Sequence, residues 1–374
     1  MSVLTQVIEK ISTLKRHSSP TDNLAFKAET QEVALLLPDL QKFKIQAEDG
    51  HGYSIYLIPE SDPHTNDLNR TASLAGFYNS RFVFECLKYY QIKVPVGSYR
   101  FFVRKRCVDQ PDHIFVSLVI EWPSFSHTQK SVLTLDEVYQ VADTLAVIHA
   151  RGYQRPAITS RHIVNENHDY VLDFLTKHLR NNFDHFLHIL FTHNHSHFSN
   201  ADKAHKTIHS LYEQFSSFKE CSDSDDGLVK VLCHGNLCAA NLRFSKQNDL
   251  TAILNWEHSS FGHVGLDLTY LMISSLSSSD RRPNYLKVLR HYYYSLVDKH
   301  AVPFKLYDLK TFYRRFLKYS VFFNLFDLAF TLESEHAGER EKCAAVQRWE
   351  QVLYEAYEVE TSNYVSDNED IRII

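Results

Sequence analysis

Glycine and proline are scarce, with ten of each in 374 residues. That composition excludes long flexible or polyproline linkers between domains, and no internal repeat divides the chain into modules. Uninterrupted apolar runs are missing as well. The longest candidate, YSVFFNLFDLAF at 319–330, is broken by Asn324 and Asp327 and falls short of the roughly 18–20 apolar residues of a membrane helix. The N-terminal MSVLTQVIEKISTLKRH has no basic start followed by an apolar core, so a secretory leader is not expected. Six cysteines in a chain of this length do not make a disulfide framework, and free thiols in a reducing, cytoplasmic setting are expected. A net charge of −5 with Lys and Arg dispersed leaves no global electrostatic drive toward nucleic acid or anionic membrane.

What is present is a folding composition. A hydrophobic share of 44% and a charged share of 23% are those of a globular protein, and the length allows a substantial core. Strand-like runs come first: GYSIYLI (52–58), YRFFVRKRCV (99–108) and HIFVSLVIEW (113–122), with FVFECLKYY (82–90) at helical spacing between them. They predict a small sheet crossed by one helix. From Thr134 the pattern turns helical. Thr134 and Glu137 of TLDE form a capping box. Leu135, Val138, Val141, Ala142, Leu145 and Ile148 then repeat along one face, with Gly152 expected to stop the helix. Residues 170–220 read as polar helix, CSDSDDG (221–227) as a loop, and Asp267 to Ile374 as mostly helical. The predicted fold is α+β and two-lobed: a β-rich small lobe over 1–124, and a larger, mainly helical lobe over 125–374 that carries one hairpin.

That hairpin holds the chemistry. In VLCHGNLCAANLRFSKQNDLTAILNWEH (231–258), strand VLC delivers His234 and Gly235 into a loop and Asn241 begins the return strand LRF. After the turn SKQND, strand TAILN places Asn255 beside Asn241, so polar side chains converge at one edge. Phosphoryl transfer calls for such a constellation. One carboxylate takes the acceptor's proton; a second carboxylate and an amide hold Mg²⁺ on the phosphates.

The stretch resembles the HGD-x4-N and D-W-[EQ] motifs of the choline-kinase-like and aminoglycoside-phosphotransferase-like superfamily, and most closely its branch with a CHK kinase-like domain. His234, Gly235 and Asn241 match the first motif, and Trp256 and Glu257 the second. Gly262 with Asp267-Leu268 matches the Gly-x4-Asp-Leu that follows, and SSLSSSDRRPNY (274–285) is similar to the helix-and-Arg segment after it. LAVIHARGY (145–153) resembles the helix that ends in a buried His, and FVSLVIEW (115–122) the strand leading to the hinge. The resemblance extends over roughly residues 75–350 and implies a kinase-like fold, with Mg-ATP as the cofactor of an active member.

The departures fall on the chemistry. At the family's catalytic-base position stands Asn236, and at its metal-binding aspartate stands Asn255; Glu257, two residues on, is the available substitute. An amide takes no proton near neutral pH, and loss of a general base typically costs ~10²–10⁴ in rate. SIYLIPES (54–61) puts Leu57 where the resemblance implies a phosphate-contacting lysine. No glycine-rich phosphate loop precedes it; the first glycines are Gly50 and Gly52, in DGHG. Phe82 falls at the position of the helix glutamate, with Glu85 one turn away as an alternative.

The resulting reading is a kinase-like protein, catalytically weak or inactive, that acts by binding a small molecule, a nucleotide or a protein. Asn241, Asn255 and Glu257 form a degenerate Mg-ATP site, and His234 structures the loop. The alternative is an active ATP-dependent phosphotransferase acting on a hydroxyl of a small metabolite or steroid-like compound. There Asn236 would orient the acceptor, while Asn241, Asn255 and Glu257 would hold the metal. Asp267 reads as an acceptor tying the loop to the next helix. Cys233, His234 and Cys238 lack a fourth zinc ligand and a C-x2-C turn, so no metal site is assigned to them. The His-rich segment HFLHILFTHNHSHF (185–198), with His205 and His209, reads as a solvated helix and loop, with binding of Zn, Cu or Ni as the alternative. The aromatic run at 289–326 reads as core packing rather than a base-stacking surface. No nucleic-acid or membrane partner is expected.

Overall fold

Five antiparallel strands, in the order β1-β2-β3-β5-β4, make the sheet of the N-terminal part. A computed structural model describes residues 26–33, 41–47, 52–60, 68–89, 92, 98–106, 114–122, 130–154, 162–221, 230–335 and 337–361. The DGHG glycine pair, apart from Gly52, and all of the expected CSDSDDG loop beyond Cys221 lie outside these residues. The strands are β1 (Phe26–Val33), β2 (Gln41–Ala47), β3 (Gly52–Glu60), β4 (Ser98–Arg106) and β5 (Ile114–Trp122). Successive side chains on a strand point to opposite faces. Tyr56 and Ile58 of β3, with Val116, Leu118 and Ile120 of β5, accordingly join one core with Phe77 and Phe84 of helix α1 (Leu68–Tyr89).

That helix was expected at 82–90 and starts fourteen residues earlier, at Leu68. Its first half hid its periodicity because its core-facing positions include polar residues. Ser73, Asn79 and Ser80 are wholly buried. Ser80 Oγ donates back to the Gly76 carbonyl at 3.2 Å, and Asn79 Nδ2 donates across the fold to the Ser259 carbonyl at 3.0 Å. A buried polar group held by a hydrogen bond is tolerated, but it is invisible to a hydrophobic pattern.

The remaining helices are α2 (Leu135–Gln154), α3 (His162–His188), α4 (Ala201–Glu213), α5 (Leu266–Ser275), α6 (Ser278–Val297), α7 (Leu306–Glu333) and α8 (Glu339–Glu360). The capping box of α2 forms: Thr134 N–H donates to Glu137 Oε2 at 2.9 Å, and Glu137 N–H to Thr134 Oγ1 at 3.4 Å. Gly152 does not end the helix, which runs on to Gln154. It is buried instead against β6 (Val231–Cys233), where an added Cβ would already lie 3.6 Å from Val231 Cγ1. The glycine thus lies inside the helix on its strand-facing side, where a methyl group would make an ordinary contact, and does not act as a stop.

The hairpin also needs correcting. Strand β7 (Leu242–Phe244) pairs with β8 (Leu250–Ile253), with Leu242 opposite Ile253, as the spacing predicts. Strand β6, however, does not close on β7. It pairs with β9 (Ser260–Gly262), Cys233 opposite Ser260, a strand too short for its pattern to be read. The loop is therefore clasped between two small ladders. The aromatic run packs inward, with Tyr292, Phe312, Tyr313, Phe316, Phe322 and Phe326 all buried. The serines at 274–279 mark the α5–α6 junction, where Ser277 caps α6 by accepting the Asp280 N–H. Within α6, Arg281 is buried in a two-pronged pair with Glu355 of α8, at 2.7 and 2.8 Å. Among the described residues no helix is long and apolar enough to cross a membrane. The observed class is α+β: an antiparallel sheet with one crossing helix, then a mainly helical part carrying the hairpin.

Candidate functional site

The loop between β6 and β7 is shaped by a glycine and an aspartate before its polar side chains come into play. Gly235 has φ +81, a left-handed conformation that side chains disfavour. An added Cβ would lie 2.0 Å from the His258 carbonyl oxygen, so only glycine lets the loop press onto the 3-10 turn Trp256–His258. From the other side Asp267, in the first turn of α5, accepts the His234 N–H at 2.6 Å and the Gly235 N–H at 2.9 Å. Burial pushes the Asp267 carboxyl up to about 6, and these two backbone donors pull it back toward the charged form.

His234 is wholly buried. Its Nε2–H donates to the Leu254 carbonyl at 2.6 Å, while Nδ1 accepts the Asn236 N–H at 3.2 Å. This pattern fixes the neutral tautomer with the proton on Nε2. Both ring nitrogens face backbone, so His234 braces the loop. Trp256 covers it, with ring centroids 4.7 Å apart.

Three asparagines close the edge. Asn241, 5% exposed, donates from Nδ2 to the Asn236 carbonyl at 2.7 Å. Asn255, in a left-handed conformation at φ 63 that asparagine tolerates, donates from its Nδ2 to Asn241 Oδ1 at 2.7 Å. The structure thus brings Asn241 and Asn255 into direct contact and hangs Asn236 on the same network through its backbone. Glu257 is buried in the turn after Asn255.

Asn241 and Asn255 fit Mg²⁺ poorly, and the buried Glu257 is the one anionic side chain of the expected set. The metal favours anionic oxygens in octahedral geometry, and neither amide position supplies a charge. The Asn241 oxygen that would face an ion instead receives the Asn255 amide. Among the described residues, one group of three metal-capable side chains has donor atoms within 4.8 Å of one another: His149, Cys233 and Asp267, all buried. Each already has a structural place. His149 Nδ1 meets the Tyr292 hydroxyl at 2.6 Å, Asp267 holds the loop amides, and the Cys233 thiol is pushed up by burial. Burial also drives His149 down to about 3, so it is neutral. None of the His-rich segment's histidines belongs to that group. They meet in pairs, His188 with His193 at 4.7 Å and His205 with His209 at 4.6 Å between ring centroids.

In the sheet part, Leu57 is buried, opposite Ser117 of β5. Phe82 of α1 packs edge-on to Phe261 of β9 at 6.1 Å. Glu85, the alternative partner for a lysine, pairs with Arg81 at 2.9 Å, and the Arg81 guanidinium covers the Phe102 ring at 4.0 Å. Helix α1 therefore docks on the loop region through an aromatic contact and the Asn79 amide.

Sequence reasoning did not single out a cleft of about 590 Å³ bordered by the same loop and lined by Cys238, Ala239, Asp327, Phe330 and Arg348. A signal was there to find, because Asn324 and Asp327 interrupt the longest apolar run.

A family model described as DUF1679, uncharacterized oxidoreductase dhs-27, matches residues 117–358. An uncharacterized kinase-like protein of Caenorhabditis elegans, D1044.1, is 28% identical over 106 residues, a stretch that covers 28% of this chain and 28% of that relative. The match thus spans under a third of the relative's length. Among solved structures, a putative aminoglycoside phosphotransferase from Ralstonia eutropha aligns over 95% of this chain and 98% of its own, at 14% identity and a TM-score of 0.49. Choline kinase from Cryptosporidium parvum aligns over 95% and 97%, at 13% identity and a TM-score of 0.49.

Proposed function

The chain belongs to this DUF1679 family, and from the loop motif, its geometry and the kinase-like relative we propose a phosphotransferase-like protein that transfers no phosphate and acts by binding. The oxidoreductase in the family's description is the name of another protein. The paired strands described here are antiparallel, unlike the parallel array of a dinucleotide-binding fold.

The observation that carries the reading is the Asn255–Asn241 hydrogen bond. Two side chains at the positions of a metal clamp satisfy each other, so the loop is stable without an ion. Asn236 adds to this, since an amide cannot accept the proton of an attacking hydroxyl. The buried Leu57 supplies no charge to a phosphate. The braces of the loop, Gly235, His234 and Asp267, hold its shape without the charges that phosphate transfer needs.

The test is ATP consumption by the purified chain, together with thermal unfolding in ATP with and without Mg²⁺. A ligand that binds only the folded state at 100 times its dissociation constant adds about 2.7 kcal/mol. The expected result is no turnover and no Mg²⁺-dependent rise in Tm. Turnover accompanied by such a rise overturns the reading in favour of an active small-molecule kinase.

A further inference from the structure

We infer that the cleft beside the loop binds a small zwitterion, with its ammonium on Asp327, its anionic group on Arg348, and its apolar body between the Ala239–Ala240 turn and Phe330. This rests on the reading of the chain as a binding protein and names the ligand class.

The cleft borders the segment that joins Asn236 to Asn241, through Cys238, Ala239 and Ala240. Its volume of about 590 Å³ suits a small-molecule ligand, for which ~300–1,000 Å³ is usual. The polar groups of its wall are mostly satisfied by the protein. Lys130 bonds Glu137 and Asn248, Asn324 Nδ2 bonds the Ser320 carbonyl, and Ser274 Oγ bonds the Tyr270 carbonyl.

Two charges of opposite sign remain. Asp327, half-buried on α7, and Arg348, half-buried on α8, line the cleft, and neither side chain has a hydrogen bond or ion-pair partner among the described residues. They do not pair with each other. The Asp327 charge acts on the Cys238 thiol and the Tyr270 hydroxyl, both of which it pushes toward the protonated form, and Arg348 feels the field of Glu341. Burial raises the Asp327 carboxyl with nothing from the protein to offset it, and lowers the Arg348 guanidinium, which the field of Glu341 offsets only in part.

A natural protein seldom keeps two unmatched charges in one cleft unless something matches them. A cation alone would leave Arg348 unmatched, and an anion alone would leave Asp327. A molecule that carries both, with carbon between them, answers both and uses the apolar wall. The exposed Phe330 ring, 53% accessible, supplies part of that wall.

The experiment is calorimetric titration of the full chain with the dipeptide Phe-Phe, with N-acetyl-Phe-Phe, which lacks the ammonium, and with Phe-Phe-amide, which lacks the carboxylate. The same series is run on Asp327→Asn and Arg348→Gln. The expected result is binding of the zwitterion, about tenfold weaker binding for each neutralised analogue, and a matching loss in each variant. The N-acetyl analogue should not distinguish Asp327→Asn from the unaltered chain. No binding by Phe-Phe, or equal binding by all three ligands, overturns the inference. If a variant unfolds, the three ligands on the unaltered chain decide. ATP turnover is read in the same preparation. Charge-selective binding with turnover sinks the inactive reading and leaves the cleft; neither turnover nor charge selectivity sinks the cleft alone.

Discussion

Asn255 Nδ2 donates a hydrogen bond to Asn241 Oδ1 at 2.7 Å, across the end of the β7–β8 hairpin. A carboxylate at 255 has no N–H to give, so Asn255→Asp sets two acceptors against each other. We expect that change to cost about 1–2 kcal/mol in chelator, with the loss recovered in millimolar Mg²⁺ or Ca²⁺. Thermal unfolding with and without the divalent ion checks it. An unchanged Tm in chelator would mean that the amide pair contributes nothing to the loop.

Gly235→Ala tests the clasp itself. The new Cβ would sit 2.0 Å from the His258 carbonyl at a positive φ, where the backbone cannot yield without lifting the loop off its turn. A loss of about 3 kcal/mol or more is expected in urea unfolding. A loss under 1 kcal/mol would show that the loop moves freely.

Leu57→Lys asks whether the missing phosphate contact can be restored. Leu57 is 4% exposed, and an ammonium placed there has to be desolvated. Destabilisation of about 2–4 kcal/mol is expected, without ATP binding in a nucleotide titration. A stable, ATP-binding variant would show that the lysine position was open to the cleft.

Asp327 gives stability a pH dependence. Its carboxyl is raised from 3.8 to about 6 by burial, so the folded state holds the proton more tightly than the unfolded one. The group is therefore neutral and harmless below pH 4, and it costs stability progressively as pH rises through about 6. Lys130, Arg348 and Glu341 are the other charged side chains lining the cleft. Discounted for partial exposure, Asp327→Asn should stabilise the unliganded chain by about 1 kcal/mol at pH 7–8. The gain should vanish near pH 4. Equal effects at both ends would place the carboxyl in water.

The loop motif, the β7–β8 register and the start of α2 at its capping box were legible because each is a local code: spacing, alternation and a cap within four residues. The full length of α1 was not, because polar Ser73, Asn79 and Ser80 are buried on it, the last two held by hydrogen bonds. Nor was the continuation of α2 past Gly152, whose meaning depends on the strand packed against it.

The sequence by itself determined which chemical groups the loop has: amides at 236 and 255, a glycine at 235, a leucine at 57. No folding event can turn an amide into a base or a leucine into a cation. Tertiary structure alone decided what those groups meet. It set Asn255 against Asn241, paired β6 with the distant β9, and left Asp327 and Arg348 facing one cleft from two helices. Hydrogen bonds and desolvation act over a few ångströms in space, and neighbours at that range are chosen by packing between segments far apart along the chain.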